Sequence, residues 1–174
     1  MIKPFFLCMV FSLAGSAASA SELFDLFGMQ LGKPASEYTY SLGQPDGYAG
    51  QNYMEVTDFT PPVTNRDFQN YTLSYDITKR ELAYANGWVS FGSVESCKES
   101  ARVIAPRLEE KYGIKYQLDE STQGTNFYFQ YSHFRDHDYS NVLCYVSGGY
   151  GANLIVEIGT TAYSDALNKK GDNF

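Results

Sequence analysis

One stretch of this chain repeats its apolar residues at helical spacing, while the segments around it alternate like strands. Cys97, Ala101, Ile104, Leu108 and Tyr112 recur at three- and four-residue steps and so share one helical face. Ser93 is placed to cap the start, Glu95 suits the positive end of the helix dipole, and Gly113 suits the left-handed residue after the last turn. Glu99, Arg102, Glu109 and Glu110 occupy the opposite, solvated face. Pro106 has no N–H to offer, which predicts a bend near Arg102.

Before this helix the pattern predicts a short strand over Leu26–Leu31, a helical turn from Pro34, a turn at Gln44–Gly47 and a strand over Asn52–Asp58. Thr60–Pro62 cannot sit in a central strand and reads as a loop. Strands follow over Tyr71–Ile77 and Glu81–Gly92. Inside the second, Asn86-Gly87 fits either a tight hairpin turn or a bulge. Beyond the helix come strands over Ile114–Leu118, Asn126–Phe134, Asn141–Ser147 and Asn153–Ile158, then a short helix over Tyr163–Lys169. Strands, one long helix (about 94–112), then strands predict an α+β single domain: a mostly antiparallel sheet with the helix packed on one face.

The first twenty residues read as an address. Lys3 is followed by an apolar run to Leu13 and by small residues ending in Ala18-Ser19-Ala20, the three-part pattern of a secretory signal peptide. Leu13-Ala14-Gly15 precedes Ser16 rather than Cys, so no lipid anchor is expected, and no later run is long enough to span a bilayer. The expectation is a periplasmic or secreted domain over residues 21–174. Cys97 and Cys144 are then its only thiols, and in an oxidising compartment they are expected to pair, pinning helix to sheet.

Removing Lys3 takes the net charge from −7 to about −8. An acidic surface argues against nucleic acid, whose phosphates need a basic face. The chain also carries 15 Tyr and 12 Phe. On the strand over Asn126–Phe134, Phe127, Phe129 and Tyr131 face one way and Tyr128 the other. So many tyrosines cannot all be buried, and exposed Tyr is a favoured protein-contact residue.

Signals of chemistry are thin. His133 and His137 with Asp136 and Asp138 form a weak metal-ligand pattern, but a strand end entering a turn does not supply the geometry, so no metal and no cofactor is expected. The carboxylate pairs Glu109-Glu110 and Asp119-Glu120 read as solvated charge. Ser147-Gly148-Gly149-Tyr150-Gly151 matches neither a nucleophile elbow nor a phosphate loop and reads as a hairpin loop.

The layout Phe27-Gly28-Met29-Gln30-Leu31-Gly32, then a Cys-bearing helix closing in Leu108-Glu109-Glu110-Lys111-Tyr112-Gly113, then a strand Cys, resembles small exported bacterial domains of uncharacterised function. That resemblance implies a periplasmic setting and carries no catalytic residue. The expected activity is binding: an inhibitor or immunity-type protein masking a basic enzyme or toxin, with Asp136, Asp138, Tyr139 and Tyr150 at the contact. Two other readings stay open: a small hydrolase using His133 or His137 with a carboxylate, and an accessory factor of an envelope or secretion assembly.

Overall fold

The computed structural model describes residues 24–147 and 150–171. Its long helix, α1, runs Val94–Tyr112. Ser93 Oγ accepts a hydrogen bond from the Ser96 N–H at 3.2 Å, and Gly113 closes the helix at φ 65°. The deepest residues of α1 are Cys97, Ala101 and Ala105, one per turn, whose small side chains let the helix lie close to the sheet. Ile104, Leu108 and Tyr112 pack beside them, half-buried.

The sheet has eight strands: β3 Gln44–Asp46, β4 Gly50–Val56, β5 Asn70–Asp76, β6 Leu82–Phe91, β7 Gln117–Gln123, β8 Asn126–Phe134, β9 Asp138–Ser147 and β10 Tyr150–Thr160. Their spatial order is β3-β4-β5-β6-β10-β9-β8-β7, and every pairing is antiparallel. Two four-stranded meanders thus meet at the β6–β10 seam. α1 is the crossover that carries the chain from the seam to the far edge, which is why it lies across β6, β8, β9 and β10. A hairpin of β1 Asp25–Leu26 and β2 Met29–Gln30 covers more of the helix side, and α2, Thr161–Gly171, contacts β4, β6 and β10.

The main core lies between α1 and the sheet. Leu154, Val156 and Ile158 of β10, Val142 and Cys144 of β9, Phe129 of β8 and Leu73 of β5 are all at most 2% exposed. A disulfide joins Cys97 of α1 to Cys144 of β9, Cα atoms 5.8 Å apart. The expected pin between helix and sheet is in place.

Several local expectations need correction. Leu26–Leu31 is a hairpin, not one strand: Phe27 (φ 53°) and Gly28 (φ 76°) reverse the chain. Gln44–Asp46 is a strand rather than a turn. Pro45 is tolerated there because β3 is an edge, where a missing N–H breaks no ladder. Asn86-Gly87 is neither turn nor bulge, because β6 passes through it in unbroken register with both neighbours. Glycine is required for another reason: a Cβ at position 87 would stand 2.6 Å from the Phe27 ring. β7 begins at Gln117, three residues later than expected, because Ile114 and Tyr116 are drawn into the core rim.

Candidate functional site

The side of the sheet turned away from α1 is only partly covered. Alternation along each strand fixes which residues it holds. Val89 and Leu154 face the helix side, so Trp88 and Ile155 face the other. Register then sets three cross-strand rows. Trp88, Ile155, Leu143 and Gln130 form one; Asn86, Glu157, Asn141 and Ser132 the second; Ser90, Asn153, Tyr145 and Tyr128 the third. α2 covers one end through Tyr163, which packs with Tyr53, Ala83 and Tyr84. Trp88, Ile155, Leu143, Tyr145 and Tyr128 are half-buried and belong to neither hydrophobic cluster. They are a continuous apolar and aromatic patch four strands wide. Tyr128 and Tyr145 sit ring to ring at 5.1 Å.

The charge on the sheet is one-sided. No Lys or Arg stands in any of the eight strands, whereas Asp46, Glu55, Asp76, Asp119, Glu120, Asp138 and Glu157 do. Of these, Asp46, Glu55, Asp76, Asp119 and Glu157 share the open side by register. Four basic side chains, Lys98, Arg102, Arg107 and Lys111, lie behind the sheet on α1. Lys98 lies over the Phe127 ring at 4.7 Å and Arg102 over Phe129 at 5.2 Å. Lys111 pairs with Asp25.

The two best-built carboxylates on the open side differ. Burial works against ionisation of Asp46, but the Ala49 N–H, the Ser74 and Tyr163 hydroxyls and the Tyr48 N–H all donate to it. Together they hold its carboxyl below the ordinary value. Glu157 has only two donors, the Tyr84 hydroxyl at 2.7 Å and Asn141 Nδ2 at 2.8 Å. Burial prevails there and pushes its carboxyl up. Tyr84 in turn accepts from Asn86 Nδ2 at 2.7 Å. The side-chain oxygens of Asn86 and Asn141, on either side of Glu157, are buried without a donor.

The residues expected at the contact fare differently. Asp138 and Tyr139 are 1% and 3% exposed, so they do not belong to a contact surface. Asp138 is a structural clamp: Arg135 grips it through two hydrogen bonds of 2.7 Å, and the Phe24 N–H donates to it at 2.9 Å. The Arg135 guanidinium also stacks 3.5 Å from the Phe24 ring centre. Tyr139 lies under Gly159, where a Cβ would fall 2.5 Å from its ring. Asp136 is exposed in the β8–β9 turn. The Tyr150 side chain and Gly148-Gly149 lie outside the described residues.

The two histidines are not brought to one centre. His133 Nδ1 is engaged with the Lys115 carbonyl at 2.8 Å. His137 lines a cleft of about 270 Å³ with Asp76, Lys79 and Glu81. No hydrogen bond joins its ring to either carboxylate among the described residues. Among the described residues no three His, Cys, Asp or Glu side chains converge as a metal site. Asp119 and Glu120 are strand neighbours on opposite faces, and Glu120 is tied to Lys98. Comparison with family models, curated proteins and solved structures finds no match.

Proposed function

We propose that this chain is an exported binding protein of the inhibitor or immunity type. In this reading residues 21–174 act as one unit in the bacterial envelope, and the open sheet side covers a basic site on an enzyme or toxin. The observation that carries this is the pairing of two properties on one surface: a Trp88–Ile155–Leu143–Tyr145–Tyr128 patch and a sheet whose strands hold carboxylates but no cation. Interfaces concentrate binding energy in central aromatic residues ringed by polar groups. Charge of one sign steers an oppositely charged partner into place. The Cys97–Cys144 bond supports an oxidising compartment, and no described helix is long and apolar enough to cross a membrane. A framework pinned by that bond also loses little freedom on docking.

The test is capture of a partner from an envelope extract by the processed protein, followed by binding measurements on the purified pair. The expected partner is basic, its association slows with added salt, and Trp88→Ala with Leu143→Ala abolishes it. A partner bound equally well by that double variant, or one insensitive to salt, would reject the reading.

A further inference from the structure

The Asn86–Glu157–Asn141 row of the open side contains more hydrogen-bond acceptors than donors. Asn86, Glu157 and Asn141 stand side by side on β6, β10 and β9, spanning about 10 Å at the usual strand spacing. Each Glu157 oxygen has one protein donor, Tyr84 on Oε2 and Asn141 on Oε1. An ionised carboxylate offers about four lone-pair positions, so roughly half remain open. Asn141 is 7% exposed, its amide is aimed at Glu157, and its oxygen has no partner; the Asn86 oxygen on the other flank has none either. No Lys or Arg pairs with Glu157 among the described residues.

We propose that Asn86, Glu157 and Asn141 form an anchor for one guanidinium group, the side chain of an arginine on the basic partner. This deepens the reading of the open side as a contact surface and rests on it. Buried acceptors without donors are costly, so a group that brings N–H donors and adds no acceptors suits this row best. An anion would add acceptors. A hydroxylated ligand would bring as many acceptors as donors. A guanidinium brings five N–H donors in a planar fork and no acceptor, and it stacks on aromatic rings. Trp88 flanks the row on the same strand side and supplies such a ring, while Tyr84, on the other flank, is stacked on Tyr163 and contributes its hydroxyl to Glu157. An ammonium is a compact point charge with three donors and spans the row less well.

The guanidinium donates to the open lone pairs of Glu157 in a charge-assisted pair while Asn141 Nδ2 keeps its own bond to Oε1, and further guanidinium N–H groups are offered to the unpartnered Asn86 and Asn141 oxygens.

The experiment uses the processed chain and capped glycine pentapeptides with a central arginine or lysine. Side-chain amide resonances of Asn86 and Asn141 are followed by NMR, and fluorescence of Trp88, the one tryptophan in the sequence, is followed in parallel. The arginine peptide is expected to shift both amides and to bind more tightly than the lysine peptide. Glu157→Gln, which keeps the size and loses the charge, is expected to weaken it about tenfold. Equal binding of the two peptides, unmoved amides, or a Glu157→Gln protein that binds as well as the parent would each overturn the anchor. The peptide comparison on the parent protein decides the matter even if the variant folds poorly. A longer arginine–serine peptide separates the two readings. If it quenches Trp88 equally in parent and variant, the anchor fails and the contact surface stands. If no cationic peptide perturbs Trp88, both fail.

Discussion

The two sides of the sheet are made from the same strands and do opposite things. On the helix side, alternate residues of β5, β6, β9 and β10 meet α1 and the N-terminal hairpin and are almost wholly excluded from water. On the other side the intervening residues include Trp88, Ile155 and Leu143, no less apolar, and stay half in water beyond the reach of α2. An antiparallel sheet with one solvated face ordinarily alternates apolar with polar. Strands apolar on both sides, with cover for only one, leave the second as a surface for something else. The helix side holds the molecule together, and the open side is free to be used.

Breaking the helix side should have the largest effect. The Cys97–Cys144 bond closes a loop with a sequence separation of 47. Its loss through Cys97→Ala with Cys144→Ala is expected to cost about 2–5 kcal/mol and to lower the melting temperature markedly. Thermal unfolding with and without reductant checks this: the parent should fall toward the variant on reduction, while the variant stays unchanged. Gly87→Ala comes next. Its methyl group would collide with the Phe27 ring, itself wedged between Phe68 and Tyr71, and overpacking of this kind costs about 1–3 kcal/mol. Urea unfolding measures it, and a loss below about 0.5 kcal/mol would mean that Phe27 swings aside.

Asp46→Asn is of similar size, but its cost depends on pH. Because hydrogen bonds hold the folded Asp46 carboxyl below its ordinary value, its stabilisation is complete above the ordinary carboxyl range and is lost as pH falls through the depressed value. The substitution should cost about 1–3 kcal/mol at neutral pH and little in strong acid. Urea unfolding at a series of pH values reads this directly.

What could be read from the chain follows from the range over which each feature is determined. The ends of α1, its N-cap and its left-handed C-cap are local and stand in the sequence at Ser93 and Gly113. The Cys97–Cys144 pairing needs only the count of thiols and the oxidising compartment that the first twenty residues imply. Asn86-Gly87 fits a turn or a bulge in the sequence alone because the reason for Gly87 lies in Phe27, sixty residues earlier and visible only once the hairpin has docked. Asp138 looked like a surface charge because its partners, Arg135 and the Phe24 N–H, meet it through the fold. The open side illustrates the same limit. Tyr128 can be set on the face opposite Phe127, Phe129 and Tyr131 from its own strand. The row from Trp88 to Ile155 to Leu143 exists only through the β6–β10 seam, which joins residues more than sixty positions apart.

Changes in the half-exposed patch of the open side should leave stability nearly untouched. Trp88→Ala and Leu143→Ala remove half-exposed side chains outside both clusters. Each is expected to shift unfolding by no more than about 1 kcal/mol, while binding of the captured partner falls by about 2 kcal/mol or more. A Trp88→Ala protein that unfolds as readily as Gly87→Ala would show that the open side is part of the core after all.

Glu157→Gln is the smallest expected effect on stability, and its sign is the sharpest comparison with Asp46. Burial, only partly offset by Asn141 and Tyr84, raises the folded Glu157 carboxyl above its ordinary value. The folded state therefore holds the proton more tightly than the unfolded chain does. Between the ordinary value and the raised one, stability falls as pH rises; above both, the ionised side chain remains a fixed cost. Glutamine keeps the shape without the charge, so the variant should be more stable than the parent at neutral pH. That gain should fade as pH drops through the interval and vanish below the ordinary carboxyl range. Asp46→Asn shows the opposite sign at neutral pH on the same side of the same sheet. A stability gain on this substitution is what the proposed guanidinium anchor requires, since a partner's cation would then supply the charge pairing that folding leaves out. Urea midpoints of parent and variant across acid to neutral pH decide the point: parallel curves, or a variant less stable at neutral pH, would mean that the protein already supplies Glu157 with the donors it needs.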